Sequence, residues 1–219
     1  MRQRSAPKLA RLKELRQRWQ LLCDGLKIDW RLARQEGQQL VSSWDRLPRY
    51  YHDTTHLLAC LRALQPVRLQ LQNPQACELA LWFHDAVYWP RRKDNEEQSA
   101  AWALRFMTAA GLDARQRDGV VQLVLETRHA ALPSTGDAQY VVDADLGILG
   151  QPPSVYGRFE ANVRKEYRFV PEADFRLRRV GVLQGFLDRP RIYSTEWFHS
   201  RLEQQARHNL GQAIAVLQA

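Results

Sequence analysis

Long apolar runs are missing from this 219-residue chain. No stretch approaches the ~18 apolar residues that a spanning helix needs, so no membrane partner is expected. Cysteine is scarce: Cys23, Cys60 and Cys77 lie far apart and are odd in number. That excludes a C-x-x-C zinc knuckle and a disulfide framework, and each thiol reads as a small core residue in a reducing compartment. The basic first residues meet no apolar h-region and run straight into a helical pattern. Neither a secretory signal nor a transit peptide is therefore expected, and the expected location is cytoplasmic. Alternation of apolar and polar residues is absent too, Val141-Val142 being too short for a strand. There is no internal repeat, low-complexity tract or Gly/Ser linker. Walker A, G-x-G-x-x-G, G-x-S-x-G and H-E-x-x-H motifs are all missing.

What is present is a chain with 45% hydrophobic and 26% charged residues, enough for a folded core. Its net charge of +8 would suit an anionic substrate or nucleic acid, although charge alone is equally a solvated surface. Apolar spacing is helical almost throughout. Leu9, Leu12, Leu15, Trp19 and Leu22 form one stripe, with Arg11, Lys13, Arg16 and Arg18 on the other face. Further helices are expected from Asp29 to Trp44, Tyr50 to Leu64, and Pro74 to His84-Asp85, the last with proline in its first turn. After a cationic loop, Asp94 or Asn95 can cap a helix that Gly111 ends. Others follow near Ala114–His129, Tyr140–Leu149, Ser154–Phe169, Glu172–Leu187 and Thr195–Leu217. The economical reading is one all-helical domain.

The pair His84-Asp85 closes the apolar run Leu79-Ala80-Leu81-Trp82-Phe83. Both side chains are costly to bury unpaired, and a divalent cation would accept an imidazole nitrogen and a carboxylate oxygen together. His52 and His56 are four apart, so on a helix they share a face; alone they read as satisfied histidines. Asp143 and Asp145, taken singly, read as turn or capping residues. Their order changes this. A His, a His-Asp pair and a distant Asp, all in helices, resemble the HD superfamily of metal-dependent phosphohydrolases. Tyr51-His52-Asp53-Thr54-Thr55-His56 resembles the Tyr-His-Asn-x-x-His signature of cyclic nucleotide phosphodiesterases, with Asp53 in place of Asn. The strings Trp82 to Tyr88, Asp94 to Glu97, Ser99-Ala100, Asp143 to Leu146, Leu149-Gly150 and Arg164 to Tyr167 are similar to a group of small, mostly bacterial predicted HD phosphohydrolases. The likeness runs from about Leu40 to Leu210.

That resemblance implies an all-α, single HD-domain bundle over residues 1–219. A basic N-terminal helix is expected at about 5–22, a metal-site core at about 49–150, and C-terminal helices at about 154–217. It implies His56, His84, Asp85 and Asp145 as metal ligands, with Asp145 preferred over Asp143 for its Ala144-Asp145-Leu146 context. His52 would be the proton donor, and His52 and Asp85 the catalytic pair. Two imidazoles and two carboxylates suit Mn²⁺, Fe²⁺, Co²⁺, Ni²⁺, Zn²⁺ or Mg²⁺, and such an ion lowers the pKa of bound water. Arg91, Arg92, Lys93, Arg128 and His129 are candidates to meet a substrate phosphate. Glu96, Glu97 and Asp143 are candidates to support the ligands, and Arg164, Glu166 and Tyr167 for a buried polar network without a catalytic role. The expected substrate is a nucleotide or similar small phosphorylated metabolite. Rivals are a non-catalytic nucleotide or nucleic-acid binding module and an HD-type di-iron oxygenase, for which only His129 is spare.

Overall fold

A computed structural model of the chain describes residues 6–219. Among them it is 72% helical with no strands, an all-α bundle. No helix is long and apolar enough to cross a membrane. The helix α1 (Ala6–Gly25) buries Leu12, Leu15, Trp19, Leu22 and Cys23 against α2 (Trp30–Trp44). Residue 5, the expected start of α1, lies outside the described residues. Leu9 continues the stripe in sequence but is 54% exposed, because the first turn of α1 runs past the core. Close approach to α2 depends on Gly37: a Cβ there would stand 2.4 Å from Trp19 Cδ1. The gap lets the Trp19 indole donate to the Ala33 carbonyl at 2.6 Å.

The helices α3 (Thr54–Ala63), α4 (Pro74–Phe83), α5 (Asn95–Ala109), α6 (Ala114–Glu126) and α7 (Asp137–Asp145) surround the centre of the molecule. Short 3-10 turns follow α3 and α7, at Gln65–Gln70 and Leu146–Ile148. α4 is the axis. Leu79, Ala80, Leu81, Trp82 and Phe83 are all buried, so the second half of this helix is apolar all round, and the helix packs on α1, α3, α5, α6 and α7. Burial of each large side chain stabilises by ~1.5–3 kcal/mol, ample to carry a polar pair at the helix end into the interior. Trp44 locks that end, donating to the Trp82 carbonyl at 3.0 Å.

Several expected boundaries move by three residues or more: α1 runs to Gly25 rather than about 22, the helix expected to reach Phe169 ends at Glu166, and others shift at polar residues. α3 begins at Thr54 rather than Tyr50, because the Asp53 carboxylate caps it, accepting from the Thr55 and His56 amides. α6 ends at Glu126, three residues short of His129, which adopts a left-handed φ of 55°. α7 starts at Asp137 and stops at Asp145. Beyond it, α8 (Pro153–Glu166), α9 (Glu172–Leu187) and α10 (Glu196–Gln218) complete the chain, α9 and α10 packing as a hairpin.

Candidate metal centre

His84 is the C-cap of α4, with its amide on the Ala80 carbonyl at 2.8 Å. Its Nδ1 meets the Leu81 carbonyl at 2.8 Å, a contact only an N–H can make, so that in the neutral ring it is Nε2 that carries the lone pair. That Nε2 faces His56 Nε2 at 3.1 Å. Asp145 Oδ1 is 3.0 Å from His56 Nε2 and 3.4 Å from His84 Nε2. Asp85 Oδ2 is 3.4 Å and 3.9 Å from the His84 and His56 nitrogens. Two ligands ~2.1 Å from one ion, separated by 90–110°, stand ~3.0–3.4 Å apart. Four of the five separations fall in that range.

The outer contacts fit as well. His56 Nδ1 pairs with the Tyr51 hydroxyl at 3.0 Å, as the Leu81 carbonyl pairs with His84; such partners orient the imidazoles of metal sites. Charge tells the same story. Burial disfavours the His84 imidazolium, yet Asp85 and Asp145 outweigh it and push the group up to about 9. Burial favours a neutral Asp145, but the charge on His84 and hydrogen bonds from His129, His56 and His84 hold its carboxyl well below the usual range. Carboxylates here draw a proton onto a buried imidazole, the place a cation can take.

Cys60 belongs to this cluster, and nothing in its sequence context pointed there except its position four residues after His56. The ligand atoms of His56, Cys60, His84 and Asp145 lie within 4.8 Å of one another, so this group can hold a metal ion. The sulfur is almost equidistant from the two His56 ring nitrogens, at 3.6 Å and 3.7 Å. Those nitrogens point apart, so the thiol rests over the ring rather than in front of Nε2. Burial, then the charges of Asp145 and Asp85, push this thiol well above its ordinary value.

His52 stands beside the cluster, not in it, because it precedes α3. Its ring stacks on Tyr88 with centroids 4.1 Å apart, and its Nδ1 lies 2.7 Å from Glu166 Oε2. Glu166, at the end of α8, also accepts from the Tyr88 hydroxyl and from the amides of Tyr50, Tyr51 and His52. Burial pushes Glu166 up, but the His52 hydrogen bond and charge prevail and hold it at about 2. His52 is raised: burial lowers it, and Asp85 and Glu166 more than compensate. The polar network expected of Arg164, Glu166 and Tyr167 is thus divided. Glu166 serves the site, whereas Arg164 closes the α8–α9 corner on Glu172 and the Tyr167 and Val170 carbonyls.

Arg49 fastens the two halves of the centre. Its buried guanidinium donates to the carbonyls of His52 at 3.2 Å, Asp85 at 2.6 Å and Ala86 at 2.9 Å. His129 reaches Asp145 Oδ2 through Nε2 at 2.9 Å. Asp143 lies elsewhere: its carboxylate accepts from the Ser194 and Thr195 amides and the Thr195 hydroxyl, fixing the start of α10. Arg128 is engaged by Glu97 at 2.8 Å and Arg92 by Asp94. Arg91 stacks over Phe169 at 4.5 Å, and Lys93 is exposed.

A cavity of about 1100 Å³ opens onto the cluster. His52, Asp85, Glu96, His129 and Asp145 form its polar floor, and Phe159, Phe175, Val182 and Phe186 its apolar wall from α8 and α9. Compared with known proteins, the chain matches no family model and no curated protein.

Proposed function

We propose that this protein is a metal-dependent phosphohydrolase of the HD superfamily, cleaving a phosphate ester of a nucleotide or a similar small phosphorylated metabolite. One observation carries the reading. Nitrogens of His56 and His84 and an oxygen of Asp145, brought from three separate segments, converge at 3.0–3.4 Å, the spacing of one coordination shell, and Asp85 Oδ2 joins them 3.4 Å from His84 Nε2 and 3.9 Å from His56 Nε2. Asp85 is the favoured fourth ligand, because Cys60 lies over the His56 ring. The mixed nitrogen and oxygen set admits Mn²⁺, Fe²⁺, Co²⁺, Ni²⁺, Zn²⁺ or Mg²⁺. When bound, such an ion supplies a water of lowered pKa and neutralises phosphoryl charge.

The chain's own groups do the rest. With Nδ1 held by Glu166, His52 has Nε2 left for the cavity, and protonates the leaving oxygen from there. Glu166 keeps the ring in one orientation and stabilises its protonated form. Arg49 holds His52 and Asp85 at a common distance through their carbonyls. The apolar wall receives the organic part of the substrate and excludes water. A di-iron oxygenase is the second reading, favoured by His129 against Asp145. Loading the apoprotein with each divalent ion, counting bound metal and screening nucleotides and phosphorylated metabolites for phosphate release tests both. One metal with phosphate release supports the hydrolase. Two irons without release supports the oxygenase, and no bound metal sinks both.

A further inference from the structure

Arg189 follows α9 on the loop to α10 and lines the cavity. Its backbone is fixed: Arg207, itself paired with Glu203, donates to the carbonyls of Leu187, Arg189 and Pro190. The guanidinium lies 4.7 Å from the Phe186 ring centre, and one Nη2 donates to the His129 carbonyl at 2.9 Å. His129 in turn reaches Asp145 at 2.9 Å, so Arg189 is two contacts from a proposed metal ligand.

Of the other cations that line the cavity, Arg91, Lys93 and Arg178 are exposed to solvent, and the rest have a carboxylate partner. Arg128 has Glu97, Arg92 has Asp94 and Arg179 has Glu160. Arg189 is half-buried and forms no ion pair among the described residues; only burial acts on its charge. A partly desolvated cation without a counter-charge is costly, and an oxyanion in the cavity would offset that cost. Among the described residues only one of its five N–H donors is engaged, and its planar fork matches two oxygens of a phosphate. His129, whose carbonyl accepts this bond, has a left-handed φ of 55°.

We infer that Arg189 is the anion-binding residue of the cavity, taking the oxygens of a substrate phosphoryl group that face away from the metal, an assignment that rests on the hydrolase reading. Arg128, spent on Glu97, is not part of it.

The probe is inorganic phosphate, titrated calorimetrically into the metal-loaded full chain, with metal content and thermal midpoint measured alongside. Arg189→Gln should keep the metal and the midpoint and weaken phosphate about 10- to 100-fold, the worth of a hydrogen bond between charged groups. Arg189→Lys, which keeps the charge without the fork, should fall between the two and carries the test if the Gln variant does not fold. Arg128→Gln should stay within about twofold of wild type. Unchanged phosphate affinity in both Arg189 variants overturns the inference alone, with hydrolysis untouched. Loss of metal from them assigns Arg189 to the support of His129 and also overturns it. A metal-loaded wild type that neither binds phosphate nor releases it from any ester removes the inference together with the hydrolase reading.

Discussion

Replacing Glu166 by alanine removes the acceptor of five hydrogen bonds, three from successive amides and two from His52 Nδ1 and the Tyr88 hydroxyl. The carboxylate side chain is 0% exposed, so water does not replace what is lost. A buried polar group left unpaired costs ~1–3 kcal/mol, and breaking a buried ion pair costs ~3–5 kcal/mol. We expect Glu166→Ala to destabilise the protein by about 4 kcal/mol, a fall in Tm of about 8–16 °C at this chain length. Protonation offers a second measure of the same carboxylate. Its pKa is depressed from 4.5 to about 2. A depressed carboxylate contributes its stability in full above its unfolded value and loses it as pH falls through the folded one. At 1.36 kcal/mol per pH unit that is about 3 kcal/mol, lost between roughly pH 4.5 and pH 2. Urea unfolding of wild type and of Glu166→Gln, measured across that window, is the assay. The Gln variant keeps an acceptor for the three amides but has no proton to gain, so its stability should fall less steeply with acid. An alanine variant within 2 °C of wild type, or parallel acid limbs for wild type and the Gln variant, would refute the reasoning.

Four further outcomes follow from the same contacts. His84→Ala and Asp85→Ala should each abolish metal binding and hydrolysis, whereas His52→Ala should retain the metal and lose turnover by ~10²–10⁴-fold; metal loss in the last would show that the proton donor is a ligand instead. Cys60→Ala should keep the metal, since the thiol lies over the His56 ring, and a metal-free Cys60→Ala protein would make Cys60 a ligand. Arg49→Lys, unable to span three carbonyls, should lower both Tm and metal affinity, as read by unfolding and by competition with a chelator. Gly185 lines the cavity and a Cβ there meets nothing within 4 Å. Gly185→Leu should therefore stabilise α9 by about 0.5–1 kcal/mol, leave metal content unchanged and slow turnover of esters with large organic groups; equal rates on large and small esters would place the substrate elsewhere.

The amino-acid sequence by itself determined the all-α class, because apolar residues at spacings of three and four recur along almost its whole length and no segment alternates. Its resemblance to HD phosphohydrolases implied His56, His84, Asp85 and Asp145 as one set, and the structure brings these side chains together. Boundaries shifted where side chains compete with the helix for backbone groups, as Asp53 does before α3. Tertiary structure alone decided the rest. Periodicity describes one helix at a time, and the partners of the site lie far apart in the chain: Glu166 is 114 residues from His52, and Arg189 is 60 residues from His129. Cys60 reads as a core thiol until α3 is seen beside α4. Asp143 and Asp145 share a local motif, yet a two-residue step turns one carboxylate to the start of α10 and the other to His56 and His84. The two acids separate because each helical residue turns about 100°, so a two-residue step points them about 200° apart, and only the packed neighbours determine which direction meets the site.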